Sequence, residues 1–363
     1  MQAEEVNMNI FVALFSIMQP SKPISAEEIK KIGSIPMNFV VGKERSGTTL
    51  LQVMLNTHPN IIAPPETRFL MLLSSRYGKV KKWTEPIITN FCNDLFREKL
   101  FSNFWKVNKE ELRRYCMAAK DFITYPLICK IVFYLENPQK TVQLFFDKNP
   151  IYYYFLPELN ELFPEAKYIH IVRDYRANIV SHRHVFTIKQ SADISFRWTK
   201  VNQLIEKAKS IYPQKFFTLK YEALVSDTAN SLQEVCTFLG VPFEEKMAAE
   251  HTSGIYDTFN SNIKEGFRKI HGNVFKPITS SYVDEWRTTL TPEDIYTAES
   301  VAGKYAEKMY DYEMTMPEKS ASIGSSVTTK MKLKYFIIRK IYRVALKNPW
   351  LYFKIRTYVW RSF

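Results

Sequence analysis

The sequence predicts an α/β protein, a parallel sheet flanked by helices, with a phosphate-binding loop at the end of its first strand. Three observations predict it. A glycine-bearing loop, Gly42 to Thr49, lies between a short apolar run and a helical pattern. Further apolar runs of strand length alternate with helical stretches. The chain has 363 residues, 46% hydrophobic and 24% charged, enough to bury a full core.

The first strand is Asn38–Val41, stopped by Gly42. In the helix predicted over Thr48–Thr57, Leu50, Leu51, Met54 and Leu55 recur at helical spacing, and His58-Pro59 ends it. From Phe69 to Lys140 helix formers dominate, which predicts a helical insertion over 69–140. Leu144–Phe146 and Tyr168–Val172 read as the next strands, with a helix over Ala177–Lys189 after them. Phe216–Tyr221 is a fourth strand, and a helix near Ala229–Leu239 closes at Gly240. Pro20, Pro23 and Pro36 punctuate a leader, 1–35, whose apolar stretch Met8–Met18 reads as a helix packed on the body. That stretch is shorter than the roughly 20 residues of a membrane span. The main domain is placed at 36–315, a Ser/Thr/Gly/Lys linker at 316–329 and a basic, aromatic, helical tail at 330–363.

Fifty Lys and Arg against 37 Asp and Glu leave a net charge of +13. Such a surplus points to a polyanionic partner: nucleic acid, anionic lipid or a phosphorylated small molecule. No nucleic-acid-binding motif accompanies the charge, so nucleic acid is not the expected partner. The four cysteines, Cys92, Cys116, Cys129 and Cys236, are widely spaced without a CxxC pair. They predict neither a metal site nor a disulfide framework; buried free thiols suit a cytoplasmic protein.

The loop carries the chemistry. In Gly42-Lys43-Glu44-Arg45-Ser46-Gly47-Thr48-Thr49 the two glycines let the backbone turn, so that successive N–H groups converge on an anion at a helix N-terminus. A nucleoside triphosphatase loop carries Lys just after its second Gly. Here Thr48 stands there, and Arg45 supplies a guanidinium within the loop. A phosphate–sulfate donor fits better than a magnesium triphosphate, with a nucleotide kinase or phosphate-loop hydrolase as the competing class.

Three blocks in order then resemble one family. KERSGTTLLQVMLNTHP (43–59) resembles the 5′-phosphosulfate loop of the sulfotransferases that use 3′-phosphoadenosine 5′-phosphosulfate (PAPS). DKNPIYYYFLPEL (147–159) resembles their short Lys-x-Pro block, and AKYIHIVRDYRANIVSH (166–182) their 3′-phosphate block, with Ser181 eight residues after Arg173. The Arg-Ser-Gly-Thr-Thr form and Pro65-Glu66-Thr67-Arg68 most resemble the tyrosylprotein branch and its bacterial relatives. The resemblance covers about residues 36–290 and implies the sulfotransferase form of the P-loop-like fold, PAPS as co-substrate and no metal.

PAPS carries about four negative charges. Lys43, Glu44, Arg45, Ser46, Gly47, Thr48 and Thr49 are expected to surround its phosphosulfate. Arg173, with a bidentate guanidinium, and Ser181, with a hydroxyl, suit the 3′-phosphate; an ion pair of Arg173 with Asp174 is the plainer reading. Tyr221 resembles the base-contacting position. By resemblance Glu66 is the general base, with His58 as the other nearby candidate. Lys148 is placed to steady charge on the bridging oxygen and Arg45 the sulfuryl oxygens. Arg68 is assigned either to Glu66 or to the acceptor. In Arg268–Pro277 (RKIHGNVFKP) the family's Lys-Pro is present, as is Trp286 beyond it, but the preceding serine is not evident, which counts against a peptide tyrosine acceptor.

The acceptor stays open among sterol or other lipid hydroxyls, glycans, small phenols and peptide tyrosines. Residues 331–363 hold nine Lys and Arg among aromatics and no acid. Such a segment suits an anionic membrane surface, predicts peripheral attachment at its inner face and tilts the expectation toward a lipid-like alcohol.

Overall fold

The structure, a computed structural model, describes residues 23–186, 189–249 and 272–316, with Leu333, Phe336, Ile337 and Leu351 beyond them. The expected helix at Met8–Met18, the Arg268–His271 stretch, most of the linker and nearly all of the tail lie outside the described residues.

Helix α1 (Ala26–Ser34) begins at Ser25, whose side chain caps the Glu28 N–H. Strand β1 (Met37–Val41) follows, then helix α2 (Thr48–Thr57) and the short strand β2 (Ile61–Ile62). Five helices occupy the predicted insertion: α3 (Phe69–Tyr77), α4 (Glu85–Arg97), α5 (Lys99–Phe104), α6 (Lys109–Ala118) and α7 (Tyr125–Glu136). Strand β3 (Leu144–Lys148), a 3-10 turn at Tyr152–Tyr154, helix α8 (Leu156–Leu162) and strand β4 (Tyr168–Val172) come next. Helices α9 (Tyr175–Arg183) and α10 (Ser191–Ile211) precede strand β5 (Phe216–Lys220), which runs into α11 (Tyr221–Ser226) and α12 (Thr228–Leu239). The last described helices are α13 (Pro292–Ala298) and α14 (Lys304–Tyr310), joined by a π-helical turn at Glu299–Gly303.

The sheet has five parallel strands in the order β2-β3-β1-β4-β5. β1, β3 and β4 are buried along their whole length, because helices cover both faces. On one face Phe39, Tyr168 and Phe216 stack at 5.5 and 4.7 Å between neighbouring centroids. On the other, Val40, Ile169, Ile171 and Leu219 pack under Leu51, Met54 and Leu55 of α2. The chain reverses direction across the sheet at β1, with β3 on one side and β4 on the other, and that switch point opens a crevice at the carboxyl ends of the strands.

Several boundaries differ from the sequence reading. The helix expected over Ala177–Lys189 spans Tyr175–Arg183, because Asp174 caps it by accepting the Arg176 N–H. Tyr221 is the first residue of a helix rather than the end of a strand. β3 reaches Lys148 and so carries that side chain at a strand end. β2, two residues long, and α10, whose mixed polar face hides its period, were not anticipated. Gly42 also serves packing rather than a left-handed turn: a Cβ there would stand 2.4 Å from the Ile171 carbonyl of β4. Gly240 closes α12 in the left-handed conformation, as expected. All four cysteines are buried and free.

Candidate active site

The loop from β1 to α2 is set by two left-handed residues, Gly47 at φ 93° and Arg45 at φ 70°. Only glycine fits position 47, since a Cβ there would approach a Tyr221 ring carbon to 2.5 Å. Arg45 accepts a conformation that costs a side-chain-bearing residue roughly 1–2 kcal/mol. Helix α2 starts at Gly47 with no side-chain cap and no acid in its first turn, leaving its amino end suited to an anion.

Across the crevice, β4 ends in Arg173. The Trp198 indole N–H donates to its carbonyl at 2.9 Å and fixes the backbone there. The guanidinium donates to the carbonyls of Arg45 (3.3 Å) and Tyr282 (2.8 Å), and it lies 4.4 Å from the centroid of the Tyr221 ring. Its Nε is buried and has no hydrogen-bond partner among the described residues. Asp174 does not neutralise it; that carboxylate is held by Arg176, through Nε at 3.1 Å and Nη2 at 2.8 Å. Arg45 Nε donates to Ser181 Oγ at 3.2 Å. Burial, followed by the nearby Arg173 charge, pushes the Arg45 guanidinium down to about 10. Arg45, expected with the transferring group, thus shares one wall with Arg173, Ser181 and Tyr221.

The other wall comes from β3 and the Pro65–Arg68 stretch. Lys148 Nζ donates to Glu66 Oε2 at 3.0 Å and to Thr49 Oγ1 at 3.3 Å. Lys148 is buried and Glu66 is a quarter exposed, so the carboxylate faces the crevice from a fixed ammonium. Four residues absent from the sequence reading hold this stretch. Ala63 N–H donates to Asn56 Oδ1 at 2.8 Å. Gln52 Nε2 donates to the Ala63 and Pro64 carbonyls at 2.9 and 2.7 Å. Trp105 donates to the Pro65 carbonyl at 2.9 Å, and Asn149 to the Thr67 carbonyl at 2.7 Å. Polar side chains within one turn of a motif were the available signal for Gln52, Asn56 and Asn149; nothing local marked Trp105.

Both walls enclose one cavity of about 540 Å³. Of the predicted residues, Glu44, Arg45, Gly47, Thr48, Thr49, Glu66, Lys148, Arg173, Ser181 and Tyr221 line it, as does Arg68. Lys43 and Ser46 are buried and do not. Lys43 lies 2.5 Å from Glu44 inside the loop. Burial pushes the Lys43 ammonium down to about 8. Burial also pushes the Glu44 carboxyl up, but Lys43, Arg197 and His182 outweigh it and hold Glu44 at about 2. His58 is not among the lining residues. Its ring accepts the Asn60 N–H at Nδ1 (3.0 Å), so its proton sits on Nε2, which donates to the Pro242 carbonyl at 2.9 Å. That ring terminates α2 and is spent on structure.

The model of the sulfotransferase family matches residues 36–245, more than half of the chain. The chain belongs to the sulfotransferase family. The enzyme is therefore a PAPS-dependent sulfotransferase. It is 24% identical over 285 residues to protein-tyrosine sulfotransferase A of Caenorhabditis elegans, covering 76% of this chain and 67% of that one. It is 32% identical over 117 residues to the omega-hydroxy-beta-dihydromenaquinone-9 sulfotransferase of Mycobacterium tuberculosis, 28% of this chain and 29% of that one. Among solved structures, the sulfotransferase domain of the Synechococcus PCC 7002 olefin synthase is 25% identical with a TM-score of 0.50, over 73% of this chain and 94% of that one. The sulfotransferase domain of the curacin biosynthetic pathway shares the fold, at 21% identity and a TM-score of 0.51 over 75% and 98% of the two chains.

The sulfotransferase's own residues fit such a donor. Two adjacent guanidiniums, one with an unpartnered buried N–H, call for an anion between them. The absent Cβ of Gly47 lets the Tyr221 ring pack directly on the loop at the cavity, and the uncapped end of α2 adds N–H groups. Among the described residues no group of three or more His, Cys, Asp or Glu is arranged to hold a metal, and no helix is long and apolar enough to cross a membrane.

Proposed function

We propose that the enzyme sulfates the hydroxyl of a lipid-like alcohol, with Glu66 as general base. The observation that carries this reading is the Thr49–Lys148–Glu66 chain, 3.3 and 3.0 Å, which joins the amino end of α2 to Glu66 along one cavity. PAPS supplies an activated sulfuryl group. Glu66 takes the acceptor's hydroxyl proton as the new O–S bond forms. Lys148 orients Glu66 and neutralises charge on the phosphate oxygen released when the old O–S bond breaks. Arg45 balances charge on the sulfuryl oxygens; Arg173 and Ser181 hold the 3′-phosphate, and Tyr221 flanks the base. The loop 43–49 binds the phosphosulfate with backbone N–H groups, Thr48 and Thr49 at the cavity and Lys43 and Ser46 beneath it.

Leu100, Phe104, Ile151, Tyr153 and Phe186 line the same cavity as Glu66, which supports an acceptor with an apolar body. A second reading, a tyrosine phenol, draws support from the same aromatic residues and from the protein-tyrosine sulfotransferase relatives. Incubating the enzyme with labelled PAPS and a mixed extract, with mass spectrometry of the products, separates the two. A sulfated lipid alcohol is expected; label confined to peptide tyrosine or glycan overturns the lipid reading.

We take 36–315 as the catalytic domain and 330–363 as a peripheral membrane contact. Leu333, Phe336 and Ile337, spaced as one helix face, are 60, 53 and 50% exposed, beside a basic sequence without acids. The full chain is expected to pellet with anionic liposomes; equal pelleting of a chain truncated at Ser326 sinks the idea.

A further inference from the structure

The left-handed backbone of Arg45, φ 70°, persists only where its surroundings over-determine it. Asn178 in α9 supplies that constraint. Its Nδ2 donates to the Glu44 carbonyl at 2.9 Å and to Ser46 Oγ at 3.2 Å, so one amide grips the chain on both sides of Arg45. The Glu44 carbonyl only accepts, which fixes the orientation of the amide. Ser181, three residues further along the same helix face, takes the Arg45 Nε, and Arg173 takes the Arg45 carbonyl. Backbone and side chain of Arg45 are thus both held from the β4–α9 unit. Asn178 is fully buried and does not line the cavity, so it touches neither donor nor acceptor.

We propose that Asn178 is a positioning residue that acts through Arg45, fixing its left-handed backbone so that the guanidinium stays on the cavity wall. The inference rests on Arg45 holding the donor, as proposed above. A residue that merely packs α9 against the loop would lower stability without being coupled to Arg45. A double-mutant cycle on calorimetric affinity for PAPS separates these roles. Asn178→Ala and Arg45→Ala are each expected to weaken binding about tenfold, the scale of a lost charged hydrogen bond. The double variant is expected to bind no more weakly than Arg45→Ala alone. Losses that multiply overturn the inference while leaving the donor assignment of Arg45 intact. Unchanged affinity in Arg45→Ala overturns both. If Asn178→Ala shows no cooperative melt, Asn178→Ser and Ser46→Ala, which weaken or remove one anchor, complete the same cycle with the same two outcomes.

Discussion

Lys148 and Glu66, 82 residues apart in the chain, meet at 3.0 Å in the crevice between a strand end and a proline-led loop. Replacing either should stop chemistry before it stops binding. For Glu66→Gln we expect turnover to fall about 10²–10⁴-fold, the usual worth of a general base. Affinity for adenosine 3′,5′-bisphosphate should stay within about threefold, because that ligand makes no demand on a base. Full turnover in this variant would falsify the assignment.

Lys148→Ala should slow transfer by about 10²-fold or more, since it removes charge stabilisation from the departing oxygen and frees Glu66. Single-turnover kinetics with saturating PAPS reads this directly. Equal losses in turnover and in donor affinity would make Lys148 a binding residue instead.

Gly47→Ala tests the packing of the Tyr221 ring on the loop. The new methyl must displace the Tyr221 ring, 2.5 Å away, and sit on a backbone at φ 93°. A melting temperature lowered by about 1–3 °C is expected, from a cost of about 1–2 kcal/mol. Affinity for adenosine 3′,5′-bisphosphate should drop with it; a variant with wild-type affinity would mean that this ring and loop do not flank the donor.

Arg173→Lys should not rescue Arg173→Ala. The guanidinium serves two carbonyls and a ring at once, a fork that an ammonium does not reproduce. Both variants should bind adenosine 3′,5′-bisphosphate at least about tenfold more weakly, read by calorimetry.

Asp147 gives a pH signature. Burial pushes its carboxyl from 3.8 up to about 7, although the Tyr152 hydroxyl donates to it. Between those values the folded state holds the proton that the unfolded chain has lost. This contribution is therefore fully present below pH 3.8 and lost as pH rises to about 7, with a slope of at most about 1.4 kcal/mol per pH unit. Urea unfolding from pH 4 to 8 should show a shallower decline for Asp147→Asn than for the wild type. Parallel curves would mean that Asp147 is ionised throughout.

What the sequence disclosed were features with local causes. The loop, α2 and β4 were legible because glycines, apolar spacing and a Pro stop act within a few residues. Arg173 and Ser181 were legible because they ride one strand–helix unit. What stayed hidden depends on distance in the chain. The nearness of Arg45 to Ser181 spans 136 residues, and the Trp105 bond to Pro65 spans 40. His58 reads as a rival base from its place in the sequence, because the partners of its two ring nitrogens, Asn60 and Pro242, are set only by the fold. α10 escaped because its buried face mixes Ser195, Thr199 and Asn202 with Ile and Trp.

The bond from Trp105 to the Pro65 carbonyl ties the inserted helices to the loop bearing Glu66. One of those helices, α5, furnishes Leu100, Asn103 and Phe104 to the cavity lining. Exchanging that insertion to retarget the enzyme would therefore loosen Glu66, the proposed proton acceptor, at the same stroke, so new substrate preferences are more safely sought by changing single side chains than by grafting segments.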